Sequence, residues 1–136
     1  MIHNHNRYLN YMLPDSWCAE EDVDNLLLYD PNGDGAMTIS FFSVLNTKET
    51  LNEQISILAK NFIDKNNIAM HAPMILFNKD GKTILHGTGT TPDDWFIKLW
   101  VVARTPKIVF ATYQSERKSS EVKMCDSIID SFRFMF

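Results

Sequence analysis

The order of the apolar segments along the chain is the feature that most restricts its fold. Most of the sequence consists of short strand-like segments, and amphipathic helices are predicted at two places, over residues 50–67 and 120–131. The first helix begins with Thr50 and Glu53 at the spacing of a capping box, and apolar residues then recur at helical intervals. This order predicts an α+β fold, with one antiparallel β-sheet flanked by the two helices.

Turn signals group several of the strands into hairpins. One hairpin is predicted over residues 26–45, around the Gly-rich stretch 30–35. A second is predicted over residues 74–86, because Asp80-Gly81 stands between two apolar runs. Both hairpins favour antiparallel pairing of neighbouring strands.

Two further segments, 95–103 and 108–114, are apolar on both faces when read as strands. Strands of this kind need cover on both sides, and one helix on each face of the sheet would supply it. We expect residues 20–24 and 87–92 to be loops. The N-terminal Met1-Ile2-His3 is expected to be a frayed polar end, with an amino-terminal copper or nickel site as the alternative.

Composition fits a single domain spanning residues 1–136, because 45% of the residues are hydrophobic and a sizeable core can form. The net charge of −4 and the scattered Lys and Arg residues argue against nucleic-acid binding. No apolar run is long enough to cross a membrane or to direct export, so we expect a cytoplasmic protein. Cys18 and Cys125 are interpreted as small apolar residues rather than a disulfide pair.

Five segments carry a resemblance to a known family. They are YMLPDSW at 11–17, LYDP at 28–31, GAMTIS at 35–40, IVFATY at 108–113 and IIDSFRF at 128–134. With this layout the chain resembles the PsbP-like fold, named for an extrinsic subunit of photosystem II and shared with a Ran-binding protein. It looks most like small bacterial members that have no assigned activity.

The resemblance implies an α/β/α sandwich and a binding or assembly role without catalysis. Function carried over from a fold is analogy, and no specific partner is transferred with it. The expectation is therefore a non-catalytic module that binds an unidentified protein, needs no cofactor and exists as a monomer or weak homodimer.

The stretch 30–35 also matches the first half of an EF-hand calcium loop. Asp30, Asn32 and Asp34 fall at positions one, three and five, and Gly35 falls at position six. The match ends at position twelve, where Phe41 replaces the required bidentate Glu. The sequence predicts at most weak calcium binding here, and a polar hairpin turn is the simpler interpretation.

An alternative function is a small hydrolase or ligand-binding protein with a pocket built from distant residues. Cys18 with His71 or His86 would supply a nucleophile and a base. This hypothesis requires the side chains to converge in one cleft, because acid–base chemistry needs hydrogen-bond reach.

Two features bear on binding surfaces. The acidic stretch 20–24 is interpreted as a solvated loop, with the steering of a basic partner as the alternative. Trp95 and Trp100 are five positions apart on one strand and face opposite sides, so one of them could lie in a groove. The expectation is nevertheless that both tryptophans belong to the core.

Overall fold

The computed structural model describes residues 1–22 and 24–136. The strands are β1 (Ile2–His5), β2 (Leu9–Met12), β3 (Cys18–Glu21), β4 (Asn25–Tyr29), β5 (Gly35–Ser43), β6 (Ala69–Met70), β7 (Ile75–Lys79), β8 (Lys82–Thr90), β9 (Phe96–Arg104), β10 (Lys107–Ser115) and β11 (Arg133–Phe134). The helices are α1 (Leu51–Lys65) and α2 (Glu121–Asp130).

Eight of these strands form one large antiparallel sheet. Its order is β3-β4-β5-β10-β9-β8-β6, and β7 also pairs with β8. The two predicted hairpins are confirmed as β4–β5 and β7–β8, and the doubly apolar segments are β9 and β10 at the centre of the sheet. Both faces of these central strands are buried.

Helix α1 covers one face of the sheet. The Thr50 hydroxyl accepts a hydrogen bond from Glu53 N, and the Glu53 carboxylate accepts one from Thr50 N, so the predicted capping box is present. Ile55 and Ala59 are buried against a cluster of apolar residues from the sheet. The helix ends at Asn66, as expected from the sequence.

Helix α2 covers the opposite face, with Cys125, Ile128 and Ile129 in its buried stripe. The last turn of α2 contains no basic residue. Lys82 of β8 compensates, because its buried Nζ donates a hydrogen bond to the Phe132 carbonyl at 2.7 Å. The cation thus lies where the helix dipole favours positive charge, and the predicted sandwich of one sheet between two helices is confirmed.

Two predicted loops are wrong because the strands extend further. Strand β8 continues through Thr90, and its glycines let β6 lie close beside it. A Cβ at Gly89 would lie 2.8 Å from the Ala69 carbonyl oxygen. Glu20 and Glu21 belong to β3, whose pairing with β4 leaves their side chains in solvent. Val23, in the same predicted loop, lies outside the described residues.

The first residues of the chain are ordered as a strand, which corrects the expectation of a frayed end. Strands β1, β2 and β11 form a separate three-stranded sheet, with Leu9 paired to Phe134. The N-terminal amine donates a hydrogen bond to the Leu13 carbonyl at 3.2 Å. His5 joins this sheet to the large one, because its ring stacks on Phe41 at 4.2 Å and its Nδ1 lies 3.1 Å from Glu21 Oε1.

None of the helices in the described part of the chain combines the length and the apolar character needed to span a membrane.

Candidate binding surface

The loop that resembles half of an EF-hand is the turn between β4 and β5. One oxygen of Asp30 accepts a hydrogen bond from Asn32 N at 3.0 Å, and the other accepts one from the Ser16 hydroxyl at 3.1 Å. Asp34 accepts a hydrogen bond from the Ser119 hydroxyl. Over residues 1–22 and 24–136, no cluster of three or more His, Cys, Asp or Glu side chains is placed to hold a metal ion. Weak calcium binding by Asp30, Asn32 and Asp34 stays a prediction.

Glu121, in the first turn of α2, connects the helix to this turn. The Glu121 Oε1 atom accepts hydrogen bonds from Gly35 N at 3.1 Å and from the Tyr113 hydroxyl at 2.9 Å. Burial, together with the bond to Glu121, raises the pKa of Tyr113 well above its ordinary range. The polar groups of this region therefore hold structural elements together.

The residues of the hydrolase hypothesis are far apart. Cys18 lies on β3, and five inter-strand spacings separate β3 from β8, where His86 lies. At about 4.8 Å per spacing the separation is roughly 24 Å, far beyond hydrogen-bond reach. His71 lies beside β8, because hydrogen bonds join its ring nitrogens to the Thr88 and Thr90 hydroxyls at 3.1 and 2.8 Å. A pocket that contains Cys18 with either histidine is not supported.

His86 instead lines a cleft of about 320 Å³ between β7, β8, β9 and α2. Burial lowers the pKa of His86 below its ordinary value, and the positive charge of Lys98 lowers it further. On the helix side, Asp126 accepts hydrogen bonds from Lys98 Nζ at 2.8 Å and from Trp100 Nε1 at 3.1 Å. These bonds hold the Asp126 carboxylate in place and balance its charge.

Trp100 of β9 and Trp95, just before this strand, have different environments, which corrects the expectation that both belong to the core. Trp100 is buried in the core at 2% exposure, while Trp95 is 41% exposed. Trp95 borders a cleft of about 460 Å³ whose other walls include Phe62, Asn66 and Gln114.

A cleft with several exposed apolar side chains lies on the α1 side of the sheet. We call it the α1–β5 groove, and its volume is about 480 Å³. Its lining combines apolar and polar residues: Phe42, Leu45, Ile57, Leu58 and Ile108 with Ser43, Thr47, Glu49, Gln54 and Asn61. Phe42, Leu45 and Ile57 are large apolar side chains that remain substantially exposed to solvent. A second cleft of about 380 Å³ shares Phe42 and Leu58 and continues the groove along the sheet.

Hydrogen bonds of the Gln54 side chain and of the backbone hold the walls of the α1–β5 groove in place. Gln54 of α1 accepts a bond from Leu45 N at 2.8 Å and donates bonds to the carbonyls of Leu45 and Glu49 at 3.0 and 3.2 Å. Val44 N donates a bond to the Pro106 carbonyl at 2.8 Å. The loop that carries Leu45 is therefore fixed against the helix, which lowers the ordering cost of binding a ligand.

Sequence reasoning missed this groove because it combines residues of separate elements. One signal was available: Ile57 lies outside the helical stripe formed by Leu51, Ile55, Leu58 and Phe62. A single exposed apolar residue is common on protein surfaces, so Ile57 points to a second contact surface only together with its neighbours Phe42 and Leu45.

The sequence matches no protein-family model and no curated protein, but its fold is similar to solved structures. The solution structure of cyanobacterial PsbP (CyanoP) from Synechocystis sp. PCC 6803 is similar, with a TM-score of 0.72 over 98% of this chain and 91% of that one, at 10% sequence identity. The protein has a PsbP-like fold.

A second solved structure, from Bacteroides thetaiotaomicron VPI-5482, gives a TM-score of 0.57 at 15% identity. The similarity covers 96% of this chain but 46% of that one, so the PsbP-like unit described here spans about half of that protein. At these identities the likeness concerns the PsbP-like fold alone, and the α1–β5 groove is a feature read from this chain's own residues.

Proposed function

We propose that the protein is a non-catalytic binding module that holds an apolar segment of a partner protein in the α1–β5 groove. The observation that carries the proposal is the groove itself, in which Phe42, Leu45 and Ile57 converge from a strand, a loop and a helix while remaining open to solvent. A concave cleft with exposed apolar walls and a few polar groups is the usual form of a binding site.

The chemistry of the groove favours apolar recognition. Aliphatic and aromatic side chains make up half of its lining residues, and Glu49 is the one charged residue among them. The amide of Gln54 is occupied by backbone groups of the loop, so it is committed to shaping the groove. An apolar partner segment would thus be selected by shape and by burial of surface.

Two further observations support a role without catalysis. Cys18 is separated from the histidines by the width of the sheet, so the described residues do not assemble the nucleophile and base of the alternative hypothesis. The PsbP-like fold suggests an accessory role as well, by analogy of fold.

The test is capture from a lysate of the source cells, with the tagged protein compared with two variants. Ile57→Lys places a charge in the groove, while Leu76→Lys places one on β7, at a site of similar exposure (46% and 44%). We expect one salt-resistant partner to be retained by the protein and by Leu76→Lys, and its yield to fall at least about tenfold with Ile57→Lys.

A photo-crosslinker at Leu45 then identifies the contact. Crosslinking of the partner through an apolar segment supports the proposal. Equal capture by Ile57→Lys, or the absence of a stoichiometric partner, would overturn it.

A further inference from the structure

The two edges of the large sheet differ in how they are protected. The β3 edge carries Glu20 and Glu21 in solvent, and charged residues of this kind prevent unwanted strand pairing. The opposite edge is shared by the short β6 and by β7, which both pair with β8, and all five residues of β7 are exposed. The first three residues of β7 are the apolar Ile75, Leu76 and Phe77, with exposures of 58%, 44% and 38%.

Strand β7 has an outer edge that is open to pairing. It pairs with β8 alone among the described strands. The β7–β8 hairpin closes through a two-residue turn, Asp80-Gly81, in which both residues have positive φ. In such a hairpin the backbone N–H and C=O groups of Lys79 form hydrogen bonds with those of Lys82. Because successive residues of a strand direct their backbone groups to opposite sides, those of Phe77 also face β8. The backbone groups of Leu76 and Asn78 therefore face outward.

We propose that this edge pairs with a second copy of the chain, so that β7 strands from two molecules join antiparallel across a two-fold axis at Leu76. The register is self-complementary. Leu76 faces Leu76 of the second copy, and Ile75 of each copy faces Phe77 of the other. These are the β-branched–aromatic and apolar pairs that stabilise neighbouring strands, and the outward groups of Leu76 supply the central hydrogen bonds.

Charge does not oppose this pairing locally. Residues 75–78 are uncharged, and Lys79 forms an ion pair with Asp130 of its own chain. Each copy as a whole carries a net charge of −4, so two copies repel at low salt. Added salt screens this repulsion and strengthens apolar contacts, so dimerisation should increase with ionic strength.

The proposal goes beyond the proposed function, because β7 lies at the sheet edge and the α1–β5 groove lies on one sheet face. It is tested by analytical ultracentrifugation of the whole protein over a range from about ten micromolar to about one millimolar, where weak dimers of this size form. We expect a concentration-dependent dimer that is favoured by salt. Leu76→Lys should weaken association at least about tenfold, because it places like charges opposite each other.

Ile57→Lys is the matched control, and it should dimerise as the unmodified protein does. Circular dichroism checks that both variants fold. Hydrogen exchange gives an independent readout: the Leu76 and Asn78 amides should gain protection in concentrated samples only. A protein that is monomeric throughout the range, or a dimer that survives Leu76→Lys unchanged, would overturn the proposal. Loss of the dimer in Ile57→Lys alone would assign it to the groove and would overturn the proposal too.

Discussion

The Tyr113 hydroxyl donates a hydrogen bond to Glu121 Oε1 at 2.9 Å, which ties β10 to the first turn of α2. The same oxygen accepts a bond from Gly35 N, at the start of β5. One carboxylate thus joins two strands to a helix, and its position in the first turn of α2 suits the helix dipole.

Glu121→Ala should lower the free energy of unfolding by about 2 to 3 kcal/mol, because both donors lose a charged acceptor. Glu121→Gln keeps one side-chain oxygen and should lose less. Urea unfolding measures both changes. Glu116→Ala, at an exposed position nearby, is the control and should stay within about 0.5 kcal/mol. Equal effects at the two sites would contradict the assigned role of Glu121.

The free energy of unfolding should decrease at high pH because Tyr11 is harder to ionise in the folded protein. Burial raises its pKa to about 12, and the charge of Glu21 contributes to the increase. The ordinary pKa of Tyr is 10.0, so between pH 10 and 12 the folded state holds a proton that the unfolded chain has lost. The stabilisation is therefore complete below pH 10 and is lost as the pH rises through about 12.

Tyr11→Phe should flatten this decline in urea unfolding measured across that pH interval. Part of the decline should persist, since the pKa of Tyr113 is raised as well. A variant whose stability falls as steeply as that of the unmodified protein would exclude Tyr11 as a source.

The turn at Asp30 should depend on its own hydrogen bonds more than on calcium. Asp30→Ala removes acceptors for Asn32 N and the Ser16 hydroxyl and should cost about 1 to 2 kcal/mol. Thermal melts with millimolar calcium or with a chelator should show the same loss. A rise of the melting temperature with calcium that Asp30→Ala removes would instead establish the weak site at Asp30, Asn32 and Asp34.

Two glycines of β8 should differ in their tolerance of a methyl group. At Gly89 a Cβ would lie 2.8 Å from the Ala69 backbone oxygen, which cannot move without disturbing β6. At Gly87 the nearest atom, at 2.9 Å, is the flexible end of Met70. Gly89→Ala should therefore cost about 1 to 3 kcal/mol in urea unfolding, and Gly87→Ala should cost less. A larger loss of stability for Gly87→Ala than for Gly89→Ala would show that the backbone of β6 moves more easily than the Met70 side chain.

Much of the fold follows from short-range signals in the sequence. The capping box at Thr50 and Glu53 and the Asp80-Gly81 turn specify local geometry, and the structure contains both. The segments that were missed depend on distant partners. His5 belongs to a strand because β2 lies beside it, and nothing in the polar run around it indicates that pairing.

The candidate surfaces were less predictable than the elements that form them. Ile75 and Phe77 are part of a predicted strand, but their exposure follows from the position of β7 at the edge of the sheet. Leu45 and Ile57 meet only because Gln54 holds the intervening loop against α1. Position in a sheet and the path of a loop are set by tertiary contacts that periodicity does not encode.

The pairing of β2 with β11 closes a loop that contains almost the whole chain, since contacts there join residues 125 positions apart. The entropy lost on closing a loop increases with its length, so this pairing is unfavourable until the large sheet has brought the two segments together. We expect the small sheet to form late in folding. A pulling force applied at both ends of the molecule would act first on the small sheet of β1, β2 and β11. We expect this sheet to separate while the sandwich of the large sheet and the two helices remains folded.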